Sequence, residues 1–232
     1  MQKHTKILAL AISLMVISGT IVCAQQKTAQ TDKEKAAAYI QTITLRADKI
    51  VKTLGITDSS KYYKVREVMV NQYHTLNDTY DARNAKIKEI KAKPGADKAT
   101  IDTLVKKTAA ETAAKVKILH DKYISKLSSL LNSEQVEKIK DGMTYGKVAF
   151  TFQGYLNMIP SLTEEQKTKI KGWLIEAREQ AMDGESAEKK TEIFGKYKGR
   201  IANYLSSQGY DLKKEGENMN KRIKEAEAAK NK

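Results

Sequence analysis

Three features of this sequence specify an all-α fold. Apolar residues recur at three- and four-residue steps from Tyr39 to Leu205, the spacing that places them on one face of a helix. Two of these stripes are long, of similar length, and joined only by a short turn at Pro94-Gly95. Polar residues that can cap a helix stand three residues before a glutamine at Asn132–Gln135 and at Thr163–Gln166, the capping-box signature. The expected architecture is a long antiparallel helical hairpin (residues 57–131) packed with a smaller C-terminal helical bundle (132–210). A charged tail (211–232) completes a single helical domain that begins at residue 25.

The elements follow in order. Tyr39, Ile40, Ile43, Ala47, Ile50, Val51 and Leu54 predict a first helix, with Gly55 as a left-handed stop. Thr57 or Asp58 caps the next. That helix carries Tyr62, Val65, Met69, Tyr73, Leu76, Tyr80, Arg83, Ile87 and Ile90, the pattern of a coiled-coil seam. Its partner carries Ile101, Val105, Thr108, Thr112, Val116, Leu119, Tyr123, Leu127 and Leu130. Two such helices joined by a few residues are antiparallel neighbours, each roughly 45–50 Å long. Small residues from Thr108 to Ala114 let the arms approach but bury little.

Beyond the second arm the pattern breaks. Gly142, Gly146 and Gly154 interrupt residues 141–160, where Val148, Phe150 and Phe152 alternate like a strand while Tyr145, Phe152 and Tyr155 space like a helix. A loop followed by a short helix ending before Pro160 is expected. Two helices follow, one with Ile170, Trp173, Leu174, Ala177 and Met182, the other with Ile193, Tyr197, Ile201, Tyr204 and Leu205. Gly195 and Gly199, one turn apart, permit a close helix crossing and weaken the helix. Leu212, Met219 and Ile223 give the tail a sparse apolar stripe, that of a loosely docked helix.

Residues 1–24 read as a signal peptide. Lys3, His4 and Lys6 form a basic start, Ile7 to Val22 an apolar run too short for a span, and Val22-Cys23-Ala24 a cleavage site. The rival reading, lipidation of Cys23, is disfavoured by Val22 at the position where a small residue is wanted. The expected location is the periplasm or the cell surface, with no transmembrane segment after cleavage. Loss of Lys3 and Lys6 takes the net charge from +14 to +12. That charge is mostly lysine and is spread along the chain, which suits solvated helix faces or attraction to anionic polymers such as uronate polysaccharides. Arginine is scarce and no nucleic-acid motif occurs, so nucleic acid is not expected as a partner.

Catalytic patterns are nearly absent. No nucleophile motif or phosphate-cradling loop occurs, and no cofactor is expected. His74 and His120, on opposite arms, make a weak metal pair, and no metal site is assigned. The better lead is aromatic. Eleven tyrosines and one tryptophan accompany only three phenylalanines, and amphipathic rings with polar neighbours are what sugars stack on. Tyr62, Tyr73, Tyr80 and Tyr123 fall on helix stripes and read as packing. Tyr145, Phe152, Tyr155 and Trp173 are the candidate ligand-binding residues. The short connection from Pro160 to Leu162 is expected to fold their segments into one cleft, with Gln153 and Asn157 beside it.

The stretches ADKIVKTLGITDSSKYYKVREVMVNQY, IPSLTEEQK, AREQAMD, FGKYKGRIANYL and QGYDLKKEGE are distributed over residues 47–217. They resemble an uncharacterised domain-of-unknown-function family of secreted helical proteins from Bacteroidetes. That family is often encoded near polysaccharide-utilisation genes and is described as sugar-binding. The resemblance implies a non-enzymatic binding protein whose partner is a polysaccharide, an oligosaccharide or a cell-envelope protein of a glycan-uptake system; it brings no established binding residues. A looser resemblance joins LTEEQ and LNSEQ to the LTxxQ repeats of the Spy/CpxP periplasmic chaperones, which implies instead a holdase that cradles unfolded clients. An accessory glycan-active enzyme is a third class.

Overall fold

The computed structural model describes residues 31–230, and the expected signal peptide, with Cys23, lies outside them. The described residues are all-α: α1 (Asp32–Val51), a 3-10 turn (Lys52–Leu54), α2 (Ser59–Lys91), α3 (Lys98–Ser128), α4 (Ser133–Met143), α5 (Lys147–Met158), α6 (Glu164–Ala181), α7 (Ala187–Ser207) and α8 (Leu212–Lys230).

Local chemistry sets the boundaries. Gly55 takes φ 66°, ending the first unit in the left-handed conformation that lacks a Cβ penalty. Asp58 rather than Thr57 caps α2, accepting from the Lys61 N–H. Both expected capping boxes form, Asn132 with Gln135 and Thr163 with Gln166. A third joins Thr31 and Glu34. The Gln135 amide also donates to the Leu54 carbonyl at 3.0 Å, so one cap binds two helices together.

Helices α2 and α3 form the expected hairpin, the most extensive helix pair of the fold. Its base is well covered: Val65, Met69, Tyr73, Tyr123 and Leu127 are buried. Towards the tip the seam thins, and Ile101, Val105, Thr108 and Thr112 are only half-buried. Helix α1 lies along α2 and contacts α4, so the hairpin is half of a four-helix arrangement rather than a free arm.

The buried residues form two clusters. One joins Ile43, Ala47 and Val51 of α1 to the hairpin base and to Ile139 and Met143 of α4. The other joins α5, α6 and α7 through Ile159, Ile170, Leu174, Phe194, Ile201 and Leu205. Arg178 of α6, itself buried, ties them: its guanidinium pairs with Glu137 and, at 2.7 Å, with Asp141, both on α4.

Two local expectations are corrected. Gly142 is not in a loop but inside α4, and a Cβ there would come within 2.9 Å of Ile50, so it lets α4 approach α1. Gly195 and Gly199 serve no close crossing: a Cβ at either meets nothing within 4 Å. The strand-like alternation of Val148, Phe150 and Phe152 falls within α5, where helical hydrogen bonding overrides a short apolar run. Helix α8 has no buried residue, and Arg222 fastens it to the C-terminal end of α5 by donating to the Asn157 and Met158 carbonyls at 2.8 and 3.1 Å.

Candidate functional site

The polar groups of the molecule gather where the two cores meet, at the loop between α6 and α7 (residues 182–186). Asp183 is buried there. Its Oδ2 lies 2.6 Å from His120 Nδ1 on α3, and its Oδ1 accepts from Gln72 of α2 at 3.2 Å. The Tyr80 hydroxyl donates to the Asp183 carbonyl at 2.9 Å. Two residues on, Glu185 accepts from Arg83 at 2.6 Å and Asn84 at 2.8 Å. The hairpin therefore holds this loop from both arms.

Lys190, in the first turn of α7, is buried and donates to the Met143 and Met182 carbonyls at 3.0 and 3.1 Å. Burial brings its ammonium down to about 8. The Asp183 hydrogen bond pulls His120 above its ordinary value. Gly184 is needed beside Lys190, since a Cβ would meet its Cγ at 3.0 Å and the Ala181 carbonyl at 3.1 Å.

This loop forms one wall of a cavity of about 280 Å³. Four tyrosines line it: Tyr39 from α1, Tyr73 and Tyr80 from α2, and Tyr145 from the turn between α4 and α5. Arg46, Asn77, Ser186 and Lys190 stand among the rings. Tyr39 is held by a hydrogen bond to the Tyr73 carbonyl at 3.1 Å, and the Arg46 guanidinium lies 5.5 Å from the centre of the Tyr73 ring. Tyr73 is 7% exposed, yet its hydroxyl has no hydrogen-bond partner. A buried hydroxyl without a partner costs about 1–3 kcal/mol. Burial pushes that hydroxyl well above the usual tyrosine value.

Tyr145 is the backbone exception. It has φ 59°, in the left-handed region, and is the only non-glycine there among the described residues. Such a conformation costs of order 1–3 kcal/mol and persists where surrounding structure imposes it. Burial does not explain it, since the residue is 54% exposed.

Two further hollows adjoin. A cleft of about 570 Å³ shares Tyr80 and Gly184 with the first cavity and runs over Ala109, Ala113 and Val116 beside Lys117, His120 and Gln180. A hollow of about 620 Å³ shares Arg46 and Tyr145 with it and continues past Lys49 along α1. Apart from these, Phe150, Tyr155, Met158, Leu212, Met219 and Ile223 line an apolar groove of about 870 Å³ between α5 and α8.

The four residues singled out in the sequence thus occupy different places. Tyr145 lines the tyrosine cavity. Tyr155 lines the α5–α8 groove, with Gln153 and Asn157. Phe152 packs on the second core. Trp173 meets Tyr204 edge to face at 5.3 Å, with the Arg200 guanidinium 4.5 Å from its ring centre. Tyr145 and Tyr155 do not open on the same cavity, and the expectation of one shared cleft is corrected. Tyr145 stands in the turn before α5 and faces α1 and α2, while Tyr155 and Trp173 lie on α5 and α6 and face α8 and α7.

Missed from the sequence were Tyr39, Tyr73 and Tyr80 as cavity residues, and Asp183 with His120 as the loop's anchor. Tyr73 and Tyr80, seven residues apart, carry a helical-face signal that packing alone accounts for. His74 pairs with its neighbour Asp78 at 3.0 Å, and among the described residues no group of three metal-ligating side chains forms.

Residues 40–225 match the profile of a protein family described as a protein of unknown function (DUF3826). The chain belongs to this family. The matched segment begins one residue after Tyr39 and takes in Arg46, Tyr73, Tyr80, Tyr145 and Lys190. No curated protein matches the chain. Among the described residues no helix is long and apolar enough to cross a membrane.

Proposed function

We propose that this member of the DUF3826 family is an exported, non-enzymatic binding protein that takes a sugar residue in the tyrosine cavity. The observation that carries this reading is the set of four tyrosine rings around one cavity, with Arg46, Asn77, Ser186 and Lys190 between them. Sugars present C–H faces that stack on rings and a rim of hydroxyls that need donors and acceptors; this lining supplies both. At about 280 Å³ the cavity is at the lower end of ligand sites and suits one ring, with the adjoining hollows available to its neighbours in a chain. The leader-like residues 3–24 and the resemblance to secreted Bacteroidetes proteins favour a periplasmic or cell-surface setting within glycan uptake. Each stacked ring adds about 0.5–1.5 kcal/mol beyond area burial, so binding is modest and rests on several contacts together. Binding of the purified residue 25–232 chain to a panel of plant and host oligosaccharides tests the reading. Saturable binding that weakens in Tyr145→Ala is expected, and absence of binding across the panel at millimolar concentration contradicts it.

A second reading, a holdase chaperone, draws on the apolar groove between α5 and α8. Phe150 at its edge is 81% exposed, and exposed apolar surface of this kind holds non-native chains. Suppression of client aggregation at near-stoichiometric ratio, lost in Phe150→Ser, is the outcome that favours it.

A further inference from the structure

We propose that the ligand is an acidic glycan, with the carboxylate of a uronate residue seated in the tyrosine cavity against Arg46 and Lys190. This rests on the carbohydrate reading above and names its substrate class.

The cavity has more donors than the protein itself satisfies. Arg46 makes no ion pair among the described residues, and its guanidinium lies over the Tyr73 ring. The Lys190 ammonium is buried and bonded to two carbonyls, with no carboxylate in ion-pair range among the described residues. It is still mostly protonated at neutral pH, since burial brings it only to about 8. Ser186 and Ala187 place the N-terminal end of α7 in the same wall, where the helix dipole favours an anion. Arg46 from α1 and the first turn of α7, with Lys190, therefore bring positive potential to the same cavity from two helices.

Glu185 itself lines the cavity and Asp81 accepts from the lining Asn77 at 2.7 Å, but these carboxylates have partners. Glu185 is held by Arg83 and Asn84, and Asp183 by His120 and Gln72. Asp183 acts on the Lys190 charge from beyond ion-pair range, so Arg46 is the cation most fully left for a ligand. A buried cation is costly unless paired, and a ligand carboxylate supplies the pairing that the fold does not. A neutral sugar satisfies the rings but leaves both cations as they were. The hollows on either side add Lys49 and Lys117, a basic track suited to a polymer with a carboxylate on successive rings.

The test is calorimetric titration of the residue 25–232 chain with a uronate oligosaccharide, its methyl-esterified counterpart, the matching neutral oligosaccharide, and inorganic phosphate. The uronate form is expected to bind about tenfold or more tightly than either uncharged form, the scale of one charge-assisted hydrogen-bonded contact. That preference is expected to shrink with added salt and to vanish in Arg46→Gln, whose exposed position leaves folding intact by circular dichroism. Equal binding of acidic and neutral forms, weakened alike by Tyr145→Ala, overturns the acidic inference and leaves the carbohydrate reading standing. Binding of phosphate as tightly as the uronate means an anion site without sugar recognition and overturns both, as does binding of none of the four.

Discussion

His120 Nδ1 lies 2.6 Å from Asp183 Oδ2, joining α3 to the loop between α6 and α7 across 63 positions of sequence. Its Nε2 faces Glu179 at 3.8 Å. The imidazole therefore sits between two carboxylates and ties the hairpin to the wall of the tyrosine cavity. The loop owes its position to this contact and to Tyr80 and Gln72, which hold it from α2.

This contact has a definite pH dependence. Hydrogen bonding to Asp183 raises the His120 pKa above the ordinary histidine value of about 6.5. A raised folded-state value means that the stabilisation is fully present below the unfolded pKa of about 6.5 and is lost as pH rises through the folded value. Urea unfolding of the wild type and of His120→Gln between about pH 5.5 and 9 checks it. The wild-type advantage is expected to be greatest at the acid end and to narrow towards the alkaline end. An advantage that stays constant across the range contradicts the assignment.

Lys190 behaves in the opposite sense. Its folded value of about 8 is below the 10.5 of an unperturbed lysine, because burial disfavours the ammonium. Between these values the unfolded chain binds more protons than the folded one, so stability rises with pH over that window. In Lys190→Met this alkaline rise is expected to disappear. The comparison of unfolding midpoints from pH 7 to 10.5 shows it, and an identical alkaline slope in the two proteins contradicts the burial argument.

Gly195 and Gly199 are helical positions with open space where a Cβ would stand. Alanine at each is expected to raise stability by about 0.5–1 kcal/mol, the propensity difference between the residues in a helix interior. Chemical denaturation of the single and double variants measures it. A loss of stability at either site means that α7 makes a close approach there which this structure does not contain.

The local rules were legible in the sequence and the tertiary ones were not. Asn132–Gln135 and Thr163–Gln166 could be read because a capping box lies within four residues. The Tyr62-to-Ile90 stripe could be read because a helix repeats its face every three or four residues. Tyr145 drew notice for the glycines around it, and it does line the cavity. Its partner rings Tyr73 and Tyr80 read from the sequence as seam packing alone, although Tyr73 both belongs to the core and lines the cavity. Trp173 lay on the right helix, but Ile170, Leu174 and Ala177 took the core face and left its ring to α7. The pairing of His120 with Asp183 carries no local signature, since neither residue type nor spacing reveals a contact made across two helices.

The most direct measurement of the central claim is a 1H-15N NMR titration of the residue 25–232 chain with oligosaccharides from the same plant and host panel. At least one is expected to shift the amides of Tyr73, Tyr145 and the 182–187 loop together, and to lose this effect in Tyr145→Asn. Asparagine accepts the left-handed backbone, so that variant removes the ring without adding strain. Shifts confined to the α5–α8 groove or to the surface around Trp173, or no shifts with any oligosaccharide, would contradict the account.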